Sequence, residues 1–138
     1  MSHLDGIFFI FAKIHLNEKP VWSIDLGIGA GKGDFDFSNY KVKRLDLETG
    51  AASIDIKFGD KVDNATVEVK SGVASVKFRV PEGVGCEIRM DGALNSKDFD
   101  GFEKVRSGVW QTEGYDKATK KITFDVESGL SSLKVSRY

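Results

Sequence analysis

The residues of this 138-residue chain best suited to chemistry fall in a few places. The densest is Gly27-Ile-Gly29-Ala-Gly31-Lys32-Gly33-Asp34. Glycines beside a lysine can cradle a phosphate, because bare backbone N–H groups approach its oxygens and the ammonium offsets their charge. The Walker pattern requires Ser or Thr after Gly-Lys, and here Gly33 follows Lys32. The dinucleotide pattern Gly-x-Gly-x-x-Gly also fails. Counted from Gly27 its sixth position is Lys32, and from Gly29 it is Asp34. The segment reads instead as a strand corner with extra glycines.

Carboxylates alternate with Phe in Asp34-Phe35-Asp36 and Asp98-Phe99-Asp100. Paired carboxylates can move protons or hold Ca2+. Alternation with an apolar residue is also what a strand with one wet face produces, and no calcium-loop spacing is met. Cys86 is the one cysteine, and His3 and His15 are the only histidines. A cysteine nucleophile needs a base, and neither histidine is near it in sequence. Cys86 alternates with Ile88 and Met90 and reads as a small apolar filler. The same shortage leaves no Ser-His-Asp set and no His/Cys metal site. No catalytic residue, metal ligand or cofactor is therefore assigned. Asn64-Ala65-Thr66 has the form of a glycosylation sequon and reads as part of a turn. Trp22, Trp110, Tyr115 and Tyr138 can either line a sugar or partner surface or close the ends of a core. Trp110 and Tyr115, on a glycine-flanked segment, form the candidate interaction surface.

Composition narrows the classes further. Twenty basic and 21 acidic residues leave a net charge of -1. A nucleic-acid binder usually carries a basic excess, so no nucleic-acid partner is expected. One cysteine rules out an internal disulfide. With 41% hydrophobic and 30% charged residues the chain is neither disordered nor membrane-embedded in composition. The early apolar run Ile7-Phe-Phe-Ile-Phe-Ala12 is far shorter than the ~20 residues a spanning helix needs. Asp5 precedes it and no small-residue cleavage site follows, so it reads as a strand and not a signal peptide.

The elements that must position these residues form an internal repeat. Leu26–Phe37, Leu45–Ile56, Val67–Phe78 and Phe124–Val135 align as apolar-x-apolar-x-x-Gly-x-x-x-apolar-x-apolar. Each half alternates with period two, the pattern of a half-buried strand. The shared glycines Gly31, Gly50, Gly72 and Gly129 are expected at sharp corners with positive φ. The outward positions carry charge, as at Asp46, Asp55, Glu68, Lys77, Asp125 and Lys134. Gly92 and Gly108 mark degraded copies of the unit. A unit of about 20 residues with two short strands predicts an all-β, single-domain β-solenoid. Ordinary hairpins in a sandwich are the alternative. Residues 1–21 are expected to be an N-terminal strand or capping segment, its first residues an expression remnant, and residues 22–138 the solenoid. The segment Ser96–Lys104 is the least repetitive and is expected to be a loop or lateral insertion.

Several strings carry a family resemblance: Gly29–Phe37, Val42–Ile56, Val76–Gly85 and Gly114–Val135. They resemble the bacterial toast-rack β-solenoid domains found in LiaF-type cell-wall-active antibiotics response proteins and in related candidate adhesins. The similarity covers about Trp22 to Val135. It implies a non-catalytic protein-interaction domain tied to cell-envelope stress or membrane-associated signalling. The implied partner is a membrane sensor kinase or another envelope regulator. LiaF-type proteins place the domain after transmembrane helices, and this chain has none, so it is either a truncated membrane protein or a stand-alone soluble relative. The expected location is the cytoplasm or the cell envelope. The alternative function is an adhesin-like or carbohydrate-binding module on the Trp110–Tyr115 segment. Terminal coils with uncovered edges make self-association the further expectation.

Overall fold

The structure, a computed structural model, describes residues 2–8, 11–12, 21–91, 96–127 and 130–138. Three long strands carry the repeat: β3 (Val21–Phe37), β4 (Lys41–Phe58) and β5 (Asn64–Val80). Two short strands precede them, β1 (Ser2–Phe8) and β2 (Phe11–Ala12). After them come β6 (Gly85–Met90), β7 (Ser96–Phe99), β8 (Phe102–Arg106), β9 (Val109–Thr112), β10 (Lys121–Val126) and β11 (Leu130–Arg137). Among the described residues the only helical element is a 3-10 turn at Tyr115–Lys117. The chain is all-β.

The long strands lie parallel and in register, β3 on β4 and β4 on β5. That pairing rules out a sandwich of hairpins for this region. Ile24 and Leu26 from the first half of β3 share one buried cluster with Phe35 and Phe37 from its second half. The chain therefore folds over at the glycine-bearing corner and encloses its apolar side chains between two sheet faces. Outward positions stay wet, as the alternation requires.

The stacking order departs from the chain order. The first half of β5 pairs with β10 and its second half with β11, both parallel. On their far sides β10 pairs with β6 and β11 with β7. The last coil in sequence thus sits inside the stack, between the β5 coil and the β6–β7 coil. Its end is tied down. Arg137 Nη2 donates to the carbonyls of Pro81 at 3.1 Å, Glu82 at 2.5 Å and Val84 at 2.8 Å. The Tyr138 hydroxyl donates to the Phe58 carbonyl. Aromatic rings run through the core along the stack, with Phe58 and Phe78 centroids 5.8 Å apart and Phe78 and Phe124 4.7 Å apart.

Three expectations change in detail. First, the corner glycines work by a different cause. Gly31 has φ 107, but Gly50 and Gly72 are not among the positive-φ glycines. A Cβ at Gly50 would lie 2.6 Å from the Gly29 carbonyl oxygen, and one at Gly72 would lie 3.1 Å from that of Gly50. These two glycines let successive backbones approach closely at the corner. Second, the counterpart of Gly50 in the first coil is Gly29 and not Gly31, since Ile28 pairs with Thr49 and Ala30 with Ala51. The slip is two residues, so every side chain keeps its face. Third, Ser96–Lys104 is not a loop, because it contains β7 and the start of β8. Gly108 belongs to no coil; with φ 75 it turns the antiparallel hairpin of β8 and β9. Gly92 and Gly129 lie outside the described residues, as do Phe9 and Ile10 of the early apolar run.

Candidate functional site

The hairpin β8–β9 closes one end of the stack. β9 runs antiparallel to β6 with Trp110 opposite Ile88, so the indole shares a face with a fully buried side chain. On the other face β7 pairs only with β11 among the described strands. Its inward residue Phe99 meets Trp110 edge-on at 5.3 Å and Phe102 at 6.1 Å. The Lys97 and Lys104 ammonium groups stand 4.7 Å and 5.8 Å from the indole centroid. Lys97 occupies the position that holds buried Leu133 one coil earlier. The core ends there, and Trp110 covers it with its rim in water.

Tyr115 sits elsewhere. It opens the 3-10 turn after Gly114, whose φ of 73 needs glycine. Its ring lies 4.9 Å from the Lys121 ammonium. A Cβ on Gly85 would approach that ring to 3.2 Å, so this glycine leaves room for it. No ring contact joins Tyr115 to Trp110. The partners that make Trp110 a cap, Phe99 and Phe102, carry no sequence signal beyond spacing within a non-repetitive stretch.

Cys86 is fully buried. Its amide donates to Thr112 Oγ1 at 3.0 Å. Burial pushes its thiol up to about 12, against a weaker opposing pull from Arg137. The thiolate needed by a nucleophile is therefore scarce at neutral pH. Asp36 accepts bonds from the Ser38 hydroxyl at 2.5 Å and the Ser38 amide at 2.9 Å, and the hydroxyl bond holds its carboxyl below the usual range. Among the described residues no three His, Cys, Asp or Glu side chains gather in a metal-binding group.

The outer faces carry charged and hydroxyl side chains in register. On the first, Asp25, Asp46, Glu68 and Asp125 stand in register on β3, β4, β5 and β10. Arg44 bridges Asp46 at 3.0 Å and Glu68 at 2.8 Å. Burial raises the Asp46 carboxyl, but the Arg44 hydrogen bonds lead the opposing effects and the net shift is downward. On the second face, Ser53, Ser75 and Ser132 form a row of hydroxyls with Lys32 at its head. Asp34, Asp55, Lys77 and Lys134 form the next row. A shallow groove of about 470 Å³ runs across these rows. The outward positions were legible as charged in the sequence. Their grouping into rows depends on the inserted last coil, which the sequence order hides.

The described residues contain no helix long and apolar enough to cross a membrane. No curated relative matches the chain in sequence. In fold it is similar to the crystal structure of a candidate cell adhesion protein from Clostridium sporogenes, with a TM-score of 0.82 and 23% identity. The match covers 89% of this chain and 58% of that one, so the chain spans little more than half of its neighbour's length. Residues 11–79, half of the 138, match the family described as the N-terminal domain of toast_rack, DUF2154. Because that match spans half of the chain, the chain belongs to the toast-rack N-terminal domain family.

Proposed function

We propose that this domain is a non-catalytic interaction module of the bacterial cell envelope, binding a protein partner through its flat outer faces. The observation that carries this reading is the register of the stack. It lines up outward side chains from successive strands into broad charged rows, while the buried Cys86 and the core itself offer no reactive group to a substrate. Flat polar faces rimmed by charge suit recognition of another surface more than enclosure of a small molecule. The fold neighbour's description as a candidate cell adhesion protein supports a surface role. The partner class suggested by the LiaF resemblance is a membrane sensor kinase or a similar envelope regulator.

In-cell crosslinking with mass spectrometry tests this. Recovery of an envelope protein linked through lysines of the outer faces is the expected result, and its loss on reversing face charges locates the contact. Crosslinks to no protein other than abundant cytosolic ones sink the reading. A second reading, a carbohydrate-binding module, is favoured by one observation: the Trp110 ring is only partly buried and is flanked by two ammonium groups. Glycan-array binding lost in Trp110→Ala supports it, and a blank array removes it.

A further inference from the structure

At the capped end the two layers of the stack finish at different heights. The layer bearing the first outer face continues from β10 through β6, β9 and β8. The layer bearing the second continues from β11 to β7, and no described strand follows. At ~4.8 Å per strand the second layer is about 10 Å shorter, a step two strands wide. One wall of the step is the unpaired edge of β7. Its floor is the inner side of the β8–β9 hairpin. Trp110 lies on that side because it is opposite buried Ile88, and Lys104 because it is opposite Trp110. Trp110 and Phe102 are only partly buried there.

The charge directed into the step has one sign. Lys97 takes an inward position on β7, and both Lys97 and Lys104 are exposed. Beyond their contact with the indole, neither forms an ion pair or hydrogen bond among the described residues. The nearby carboxylates lie on other sides. Asp98 is an outer residue in register with Lys134, and Glu103 is an outer residue opposite Gln111. Asp100 lies in the turn that leaves β7. An inward lysine on an edge strand resists an apolar strand and accepts one that sets a carboxylate beside it.

A second copy suits this step poorly. The opposite end of the stack does not fit it, because β1 and β2 both lie beside β3 and finish the two layers level. A second copy's own hairpin matches the step in width, but it brings Lys97 and Lys104 of both copies together with no inward carboxylate among the described residues.

We propose that the step receives an extended acidic segment of another protein, which adds as a strand to the free edge of β7. Backbone hydrogen bonds to β7 supply affinity, and alternate side chains supply selection. An inward Asp or Glu lies beside Lys97, and the next inward residue, an apolar one, lies beside Phe99 and over Trp110. This surface is separate from the outer faces, so the proposal holds or fails apart from them.

The probe is the peptide acetyl-Thr-Glu-Thr-Val-Thr-Glu-Thr-amide, titrated to millimolar concentration into the 15N-labelled domain and followed by NMR. Shifts are expected at the β7 amides and the Trp110 indole N–H, with slower hydrogen exchange along β7. Gln in place of both Glu weakens binding about tenfold, as the loss of two half-exposed ion pairs requires. Methylating alternate peptide nitrogens on the edge facing β7 abolishes it. Lys97→Glu with Lys104→Glu loses the acidic peptide and binds its Lys counterpart instead. Both lysines are exposed, and the amide spectrum checks the fold; the single Lys97→Gln gives a graded loss if the double variant does not fold. No shift at β7, or equal binding of the Gln or the N-methylated peptide, overturns the proposal. So does a domain that sediments as a dimer with β7 already protected, which assigns the step to a second copy. A linear uronic-acid oligosaccharide that moves the Trp110 signal where the peptide does not assigns the lysines to a glycan and likewise overturns it.

Discussion

In the middle of the stack, β4 has β3 on one side and β5 on the other, and its inward side chains Leu45, Leu47, Ile54 and Ile56 are almost wholly buried. At the capped end, β7 has only β11 as a neighbour among the described strands. Its inward positions there hold a half-buried Phe99 and an exposed Lys97. The middle is uniform because every coil is covered by one like itself. The end must be closed by something unlike a coil, and the chain uses an antiparallel hairpin that turns Trp110 toward the core. Repetition solves burial in the interior of a solenoid and cannot solve it at the last coil. The hairpin's outer strand also guards the edge. Most of β8 is exposed, it carries Lys104 and Arg106, and its register breaks between them. Charge and a bulge of this kind discourage further strand addition.

That contrast can be tested. The largest effect is expected in the middle, where Phe78→Ala removes a fully buried ring from the aromatic column and costs about 3–5 kcal/mol in urea unfolding. A cost below that of a surface substitution would mean the column is not packed. Gly50→Ala, at the close approach of two coils, costs about 1–3 kcal/mol through overpacking. If it is tolerated with no change in melting temperature, the corner has room that the 2.6 Å approach denies. At the end, Trp110→Ala costs about 1–2 kcal/mol, less than Phe78→Ala because the ring is only partly buried. Equal costs at the two sites would erase the distinction between middle and end.

Two smaller effects sharpen the picture of the middle. Thr49 is buried at an inward position with a hydroxyl that finds no partner among the described residues. Thr49→Val keeps the shape, removes the unpaired group and raises stability by about 1 kcal/mol in the same unfolding assay. A loss would reveal a bond to that hydroxyl. Asp46 has a folded-state pKa held below its usual value, so its contribution is present above about pH 4 and is lost as pH falls through the lowered value. Arg44→Ala removes the leading cause of that lowering, and the acid-unfolding midpoint moves to higher pH. The shift is small because the pair is partly solvated. A midpoint that moves the other way contradicts the assigned sign.

Much of the middle was legible in the residues. Period-two halves around a glycine specify two half-buried strands and a corner, and the alignment of Val67–Phe78 with Phe124–Val135 matches the pairing of β5 with β10 and β11. The alignment of the first coil was misled by its surplus glycines, because Gly31 fits the pattern as well as Gly29 does. Gly33 explains part of the irregularity. A Cβ there would lie 2.7 Å from the Phe35 ring, so the ring fills space that Ile54 and Val76 fill in the next coils. The end was not legible. Phe99, Phe102 and Trp110 meet through tertiary contacts between strands that share no repeat, and no local periodicity announces such a contact. For the outer faces, charge at each position was clear, but which charges become neighbours depends on where the last coil lies.

The position of that last coil has a consequence for how the protein is made. Synthesis runs from the N-terminus at about 5–20 residues per second, so β3, β4 and β5 can pair as each emerges. The β6–β7 segment comes next, yet its place in the stack is against β10 and β11, which are still unmade. Of that segment only β6 has an early partner, the hairpin that follows it, in the local meander of β6, β9 and β8, while β7 waits for β11. When residues 121–137 arrive, they join two preformed pieces across 57 residues of sequence, the separation between Val67 and Phe124. The final coil acts as a keystone. A nascent chain that stalls before it leaves the open edge of β5 facing the unpaired edge of β6, and it is at that moment that the molecule is most exposed to pairing with another chain.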